Sequence, residues 1–390
     1  MANFGVEDGR IFAGQDGITN VTVTNGEFTD NVQVTVATFA PTPLSYIDLK
    51  QQANNVALQG DYAYVATDTG LVIVDTSDPS TPFIAGSAAI GKALDVKVDG
   101  VYVYLATATG LAVVSVNDVA EPEYLATYTD LGAINDIALE NGRAYLATET
   151  NGFAVLNLQN PTAPALVGSV ILGSVINAVA VEGELAVVVS GDVLIALGVT
   201  VPSSPVELGR ANVPGAKQVA IKGKHAFVAA GSATYYPSVD FTDPINPVVN
   251  ETPRDFLPND VVVRGDHAFY AEIVFPSAIP IVNIKDPNNP LYQALIDMSD
   301  YGDYDCNGVD ADLSYVVCSA RNRLYIGQYR ELQDVAGIAP EISWQTPALG
   351  QELYQNRPYR VSADVIDDVR VALVNFYANG VRVHTDVTPP

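Results

Sequence analysis

Histidine (3 residues), methionine (2), cysteine (2) and tryptophan (1) are nearly missing from this 390-residue chain. No zinc-ligand spacing, nucleophile elbow, phosphate loop or acid–base pair stands out, which lowers the expectation of an enzyme. Positive charge is also scarce: 19 Lys and Arg face 45 Asp and Glu, a formal charge of −26. Nucleic-acid phosphates need a basic footprint, so no nucleic-acid partner is expected, and docking on anionic lipid is disfavoured. No apolar run reaches the roughly 20 residues of a membrane-spanning helix, so no direct membrane insertion is expected. Met1-Ala2-Asn3-Phe4-Gly5 does not read as a signal peptide, so any export signal is expected to lie outside this chain. Helical periodicity is almost absent. What remains is 48% hydrophobic and only 16% charged, the balance of a well-buried β protein and not of a disordered one.

The chain is repetitive. A small-aromatic or small-aliphatic step recurs with its second residue at Tyr64, Tyr104, Tyr145, Val187, Phe227 and Phe269, at spacings of 40, 41, 42, 40 and 42; a degenerate seventh copy places Val317 there, 48 further on. Each copy opens on a short alternating run, such as Asp95-Val96-Lys97-Val98 or Asp136-Ile137-Ala138-Leu139. A turn on Gly60, Gly100, Asn141-Gly142, Gly183, Gly223 or Gly265 follows, suited to a tight hairpin. The second run carries the recurring step. After another glycine turn comes an apolar run, Leu71-Val72-Ile73-Val74 in the first copy. A connector such as Asp78-Pro79-Ser80-Thr81-Pro82 ends the strand and leads into a fourth, because proline lacks a backbone donor. The Asp residues opening these connectors (Asp78, Asp243, Asp286) read as turn caps. Four strands in about 40 residues describe one propeller blade.

Leu71-Val72-Ile73-Val74-Asp75 spells the motif after which LVIVD repeats are named, and the chain resembles an LVIVD-repeat protein over about residues 43–330. The resemblance implies a β-propeller and says little about activity. Two departures are the Tyr235-Tyr236-Pro237 segment in the fifth copy and the missing turn glycine in the seventh. The proline-plus-strand element occurs seven times, first at Pro43, ahead of the first complete hairpin. The expected architecture is therefore all-β: a seven-bladed propeller over 41–333, with Pro43–Ile47 as outer strand of the last blade.

Residues 1–40 resemble the C-terminal strands of a bacterial Ig-like domain, and residues 334–390 the N-terminal strands of another, with Asn379-Gly380 as a hairpin. Together they approach the roughly 100 residues of one sandwich. Three arrangements are open. The chain is an excerpt cut inside two domains, or its ends pair into one permuted domain, or each chain completes the next head-to-tail.

Three sets of residues are candidates for chemistry. Cys306 and Cys318 are expected to form a disulfide, the alternative being two buried thiols. Asp303, Asp305 and Asn307 resemble the opening of a calcium loop, but Ser314 stands where a closing acid is expected; the alternative is an acidic inter-blade loop. Tyr235 and Tyr236 are candidates for a stacking surface for sugars. His225 and His267 occupy equivalent positions and read as strand-face residues. The expected function is a non-enzymatic extracellular or cell-surface module, structural or adhesive, whose partners are further copies of itself, other cell-surface proteins or glycans. No cofactor is required. The alternative is a carbohydrate- or ligand-binding propeller assisted by calcium.

Overall fold

Seven four-stranded antiparallel sheets make up the propeller. The computed structural model describes residues 41–329, except 151, 232–234, 254–256, 274–277, 303–304 and 313, and the backbone of the terminal strands named below. The innermost strands of blades 1 to 7 are Ala53–Gln59, Ala93–Asp99, Ile134–Glu140, Ala178–Glu182, Ala216–Lys222, Pro258–Arg264 and Gly308–Ala311. Each lies against the innermost strand of the next blade, and the seventh lies against the first, so the ring is closed.

The turns follow from their residues. Gln59 pairs with Tyr62 across a two-residue turn in which Gly60 has φ +58°, a conformation costly for a β-carbon. In the next hairpin the Thr67 hydroxyl donates to Gly70 O and accepts from Gly70 N, at 2.8 and 3.1 Å. Neighbouring blades cover both faces of each sheet, so the middle strands are apolar at every position instead of alternating. Leu71, Val72, Ile73 and Val74 are all at most 2% exposed. Such burial stabilises by about 1.5–3 kcal/mol per large side chain. The core is thus a series of inter-blade layers, for example Ile73, Val96 and Leu105 between blades 1 and 2.

The outer strands of all blades but the fifth carry a bulge, and in blades 1, 3, 4 and 7 the small residue beside it docks on the connector of the next blade. A Cβ on Gly86 would stand 1.9 Å from Val119 O, and one on Gly209 1.9 Å from Pro244 O. In blade 7 the equivalent Ser45 donates to Pro79 O at 2.5 Å. The connectors hold their shape through acidic caps: Asp78 accepts from Ser80 N and the Thr81 hydroxyl, and Asp243 from Ile245 N and the Asn246 side chain. The capping role expected of these aspartates is what the structure has.

Ring closure follows the expected scheme. Thr42–Asp48 pairs with Arg323–Gln328, so the segment ahead of blade 1 is the outer strand of blade 7. The missing turn glycine of blade 7 is replaced by a side chain: Asp312 accepts from Ser314 N and Tyr315 N, both at 2.6 Å. Cys306 and Cys318 form a disulfide with Cα atoms 5.8 Å apart, and both are fully buried. It ties the segment before the innermost strand of blade 7 to the second strand.

The chain divides into two units, Met1–Pro41 and Thr42–Pro390. In the first, Ala2–Phe4 pairs with Ile11–Ala13, and Gly17–Asn25 with Phe28–Val36 across Gly26-Glu27. Asp30 and Asn31 lie within the latter strand. In the second unit, beyond the propeller, Glu341–Thr346 pairs with Ser362–Ile366, and Val374–Ala378 with Val381–Asp386 across Asn379-Gly380. The described strands at both ends thus form two-stranded sheets. No helix among the described residues is long and apolar enough to cross a membrane.

Candidate functional site

The innermost strands surround a central channel of about 320 Å³. Every second residue of such a strand turns its N–H and C=O away from its one antiparallel partner, toward the channel and the next blade. Those groups need partners wherever water is displaced. Aspartates on the preceding blade supply them. Asp95 of blade 2 accepts from Ile137 N of blade 3 at 2.9 Å, and Asp136 of blade 3 from Val179 N of blade 4 at 2.7 Å. Asp260 of blade 6 accepts from Val309 N of blade 7 at 2.9 Å, and Asp310 of blade 7 from Leu58 N of blade 1 at 2.8 Å. All four carboxylates are buried.

Lys97 is the counter-ion of this cluster. Its Nζ lies 3.0 Å from Asp95 Oδ1, and 36% of its side chain is exposed, on the channel wall. Burial lowers its pKa, but the charges of Asp95, Asp136 and Asp260 together outweigh burial and raise it. Burial, then the neighbouring Asp95 charge, push the Asp136 carboxyl well above the ordinary carboxylate range, against the pull of Lys97. Burial pushes Asp260 up to about 7, opposed by the Val309 amide, Lys97 and the Val261 amide. Arg264 donates to Asp310 Oδ1 at 2.7 Å and to Ala311 O, adding a charged link between blades 6 and 7.

Two further layers flank the carboxylates. One residue before the aspartate position, asparagine amides reach a main-chain carbonyl of the next blade: Asn54 to Ala93 O, Asn135 to Ile176 O, Asn259 to Cys306 O and Asn307 to Ala53 O. At the far end of the strand, Gln59 exchanges two bonds with Gly100, Glu140 accepts from Gly183 N, and Glu182 from Gly223 N. Chemically the channel is a stack of inter-blade fastenings. Its acids act as acceptors for main-chain amides.

The candidates from the sequence are placed as follows. Asp303 lies outside the described residues. Asp305 is exposed, and the Asn307 amide belongs to the asparagine layer, donating to Ala53 O at 2.9 Å. Among the described residues, no three His, Cys, Asp or Glu side chains converge as a metal site. Tyr235 lies on a strand paired with Val248–Pro253, its side chain outside the described set. Tyr236 is 1% exposed and stacks on Tyr270 with ring centroids 4.4 Å apart, so it corrects the expectation of an open stacking surface: it packs between blades 5 and 6. His225 and His267 are strand-face residues, bonded to Asn288 and Gln293. The residues missed were the fasteners themselves. Their signal was an amide or acid pair at one register position, as in Asn54-Asn55, Asn135-Asp136 and Asn259-Asp260.

Comparison with known proteins agrees with this fold. Residues 51–89, 90–130 and 131–171 match the LVIVD repeat, and residues 340–390 match a bacterial Ig domain. The matched repeats cover blades 1 to 3, while the same four-stranded pattern continues through blade 7. No curated protein matches the chain. Among solved structures, the Mitotic Checkpoint Complex aligns over 80% of this chain and 100% of that one, with 11% identity and a TM-score of 0.62. U3-55K aligns over 74% and 100%, with 12% identity and a TM-score of 0.61. The WD40 β-propeller domain of Doa1 aligns over 75% and 98%, with 10% identity and a TM-score of 0.59. At such identity the likeness is one of fold.

Proposed function

We propose that the protein is a non-enzymatic extracellular module, structural or adhesive, in which a rigid propeller is carried between Ig-type strands that join one chain to the next. The observation that carries this reading is the contrast between ring and ends. The ring completes itself: its last blade is filled by Thr42–Asp48, and its channel acids bond to neighbouring blades. The terminal sheets have two strands each among the described residues, so their outer edges offer main-chain donors and acceptors to another strand. The match of 340–390 to a bacterial Ig domain and the buried disulfide support an oxidising, extracellular setting. The partner in this reading is a second copy, with other cell-surface proteins or glycans held by the assembled array. No cofactor is required.

Strand exchange that repeats without closing makes a thread. Light scattering of the full chain across concentration, with micrographs of the same samples, is expected to show growth from 41.3 kDa units into regular filaments. A Thr22→Pro substitution in the long N-terminal hairpin removes an edge donor and should stop that growth while leaving the propeller folded. A single 41.3 kDa species at every concentration would sink the head-to-tail assembly.

A further inference from the structure

No aspartate stands at the bridging position of the seam between blades 5 and 6. Its residue at the aspartate position is Gln218, whose Oε1 accepts from its own neighbour Val219 N. One residue earlier, where most blades have asparagine, stands Lys217. Its Nζ donates to Oδ1 of Asn259 on blade 6 at 2.6 Å. The lysine is cradled by a glycine: a Cβ on Gly231 would stand 2.1 Å from Lys217 Cε and 2.5 Å from Nζ. A buried acid ends the second strand of blade 6, His267–Glu272. Glu272 is 1% exposed, accepts from Leu257 N at 2.8 Å, and acts electrostatically on Lys217. The Asn259 NH2 is loosely held, 3.5 Å from Cys306 O.

We propose that Lys217 and Asn259 react to form an amide bond between Nζ and Cγ, a covalent staple between blades 5 and 6, with Glu272 as the proton carrier. The Glu272 carboxylate takes a proton from the lysine ammonium. The freed amine attacks Asn259 Cγ, forming the new C–N bond. As the tetrahedral adduct collapses, the bond from Cγ to Nδ2 breaks and Glu272 returns its proton to the departing nitrogen. The second amine proton passes to the same nitrogen, which leaves as one ammonium ion carrying the charge the lysine began with, and no oxidant or co-reactant is consumed. A primary amide is a poor acyl donor in water, but a held contact supplies the high effective concentration the attack needs. Burial lowers the Lys217 pKa, against the opposing Glu272 charge, which favours the nucleophilic neutral amine. The staple would fall at a seam whose aspartate position cannot reach across. The inference is independent of the proposed function.

Peptide mapping of the unfolded, protease-digested full chain tests it. The expected result is one branched peptide joining the Lys217 and Asn259 segments, about 17 Da lighter than its two parts, with no tryptic cleavage after Lys217. Intact mass alone is insufficient, because a succinimide at an Asn-Gly step loses the same ammonia. Lys217→Arg should yield two separate peptides, and Glu272→Gln should leave most of the chain unlinked. Asn259→Asp should still link, now losing water and giving the same product. This last variant keeps the test decisive if Glu272→Gln does not fold. Separate peptides from the folded wild-type chain, with normal cleavage after Lys217, would overturn the staple. A wild-type yield of branched peptide in a folded Glu272→Gln chain would overturn the role of Glu272.

Discussion

The channel aspartates make stability depend on pH in a direction opposite to that of most surface acids. Asp136 and Asp260 are held above the ordinary carboxylate range, so the folded chain binds more protons than the unfolded one between about pH 4 and 7. Their contribution is complete below about pH 4 and is lost as pH rises through the folded values, near 7 for Asp260. For Asp260 alone it amounts to up to about 4 kcal/mol. Exposed caps such as Asp78 and Asp243 work the other way: they are lowered, and their contribution disappears as pH falls below about 4. The melting temperature should rise by roughly 5 °C from pH 8 to pH 5 and fall again in stronger acid. Relief of the −26 charge would also raise it, so the discriminating variant is Asp260→Asn, which should flatten part of the slope. An unchanged slope in that variant would contradict the assignment. These acids were visible in the sequence as members of alternating runs. Their role was not, because alternation tells which face a side chain takes and not that the strand edge beside it needs an acceptor from another blade.

At the scale of the element, the blade was the most legible unit. Glycine turns, the apolar run at Leu71–Val74 and the proline connectors each have a local cause, so hairpins and strand order follow from short windows. Blade 7 was legible only by count: Thr42–Asp48 had to be assigned across the whole ring to Arg323–Gln328. Tyr236 was misread for a related reason. Its break with the repeat pattern suggested exposure, whereas Tyr270 of the next blade covers it. Two element-level outcomes are expected. Gly209→Ala should cost about 1–3 kcal/mol, because its Cβ would meet Pro244 O at 1.9 Å and both partners are backbone-held. Chemical denaturation would show this as a lower midpoint with unchanged slope, and an unchanged midpoint would contradict the docking of blade 4 on blade 5. Removal of residues 1–48 should leave Arg323–Gln328 as a bare edge, lowering the melting temperature and promoting association. A truncated chain that melts like the full one would mean that blade 7 does not need its fourth strand.

At the scale of the whole molecule, the proposed scaffold role rests on the channel. A channel lined with Asp136, Asp260, Asp310, a lysine and an arginine has the residue types of a binding or reaction site. Here Asp95, Asp136, Asp260 and Asp310 bridge one blade to the next and Thr42–Asp48 completes the last blade, which supports the proposed scaffold role. The most direct measurement is amide hydrogen exchange of Leu58, Ile137, Val179 and Val309 in the full chain. Their N–H groups face the channel and have no main-chain partner there, so their protection reports the aspartate bonds alone. Exchange as slow as that of the middle strands, limited by global unfolding, is the predicted result. Exchange at the rate of exposed turns would mean that the carboxylates are hydrated and free for a ligand, and would contradict the scaffold reading.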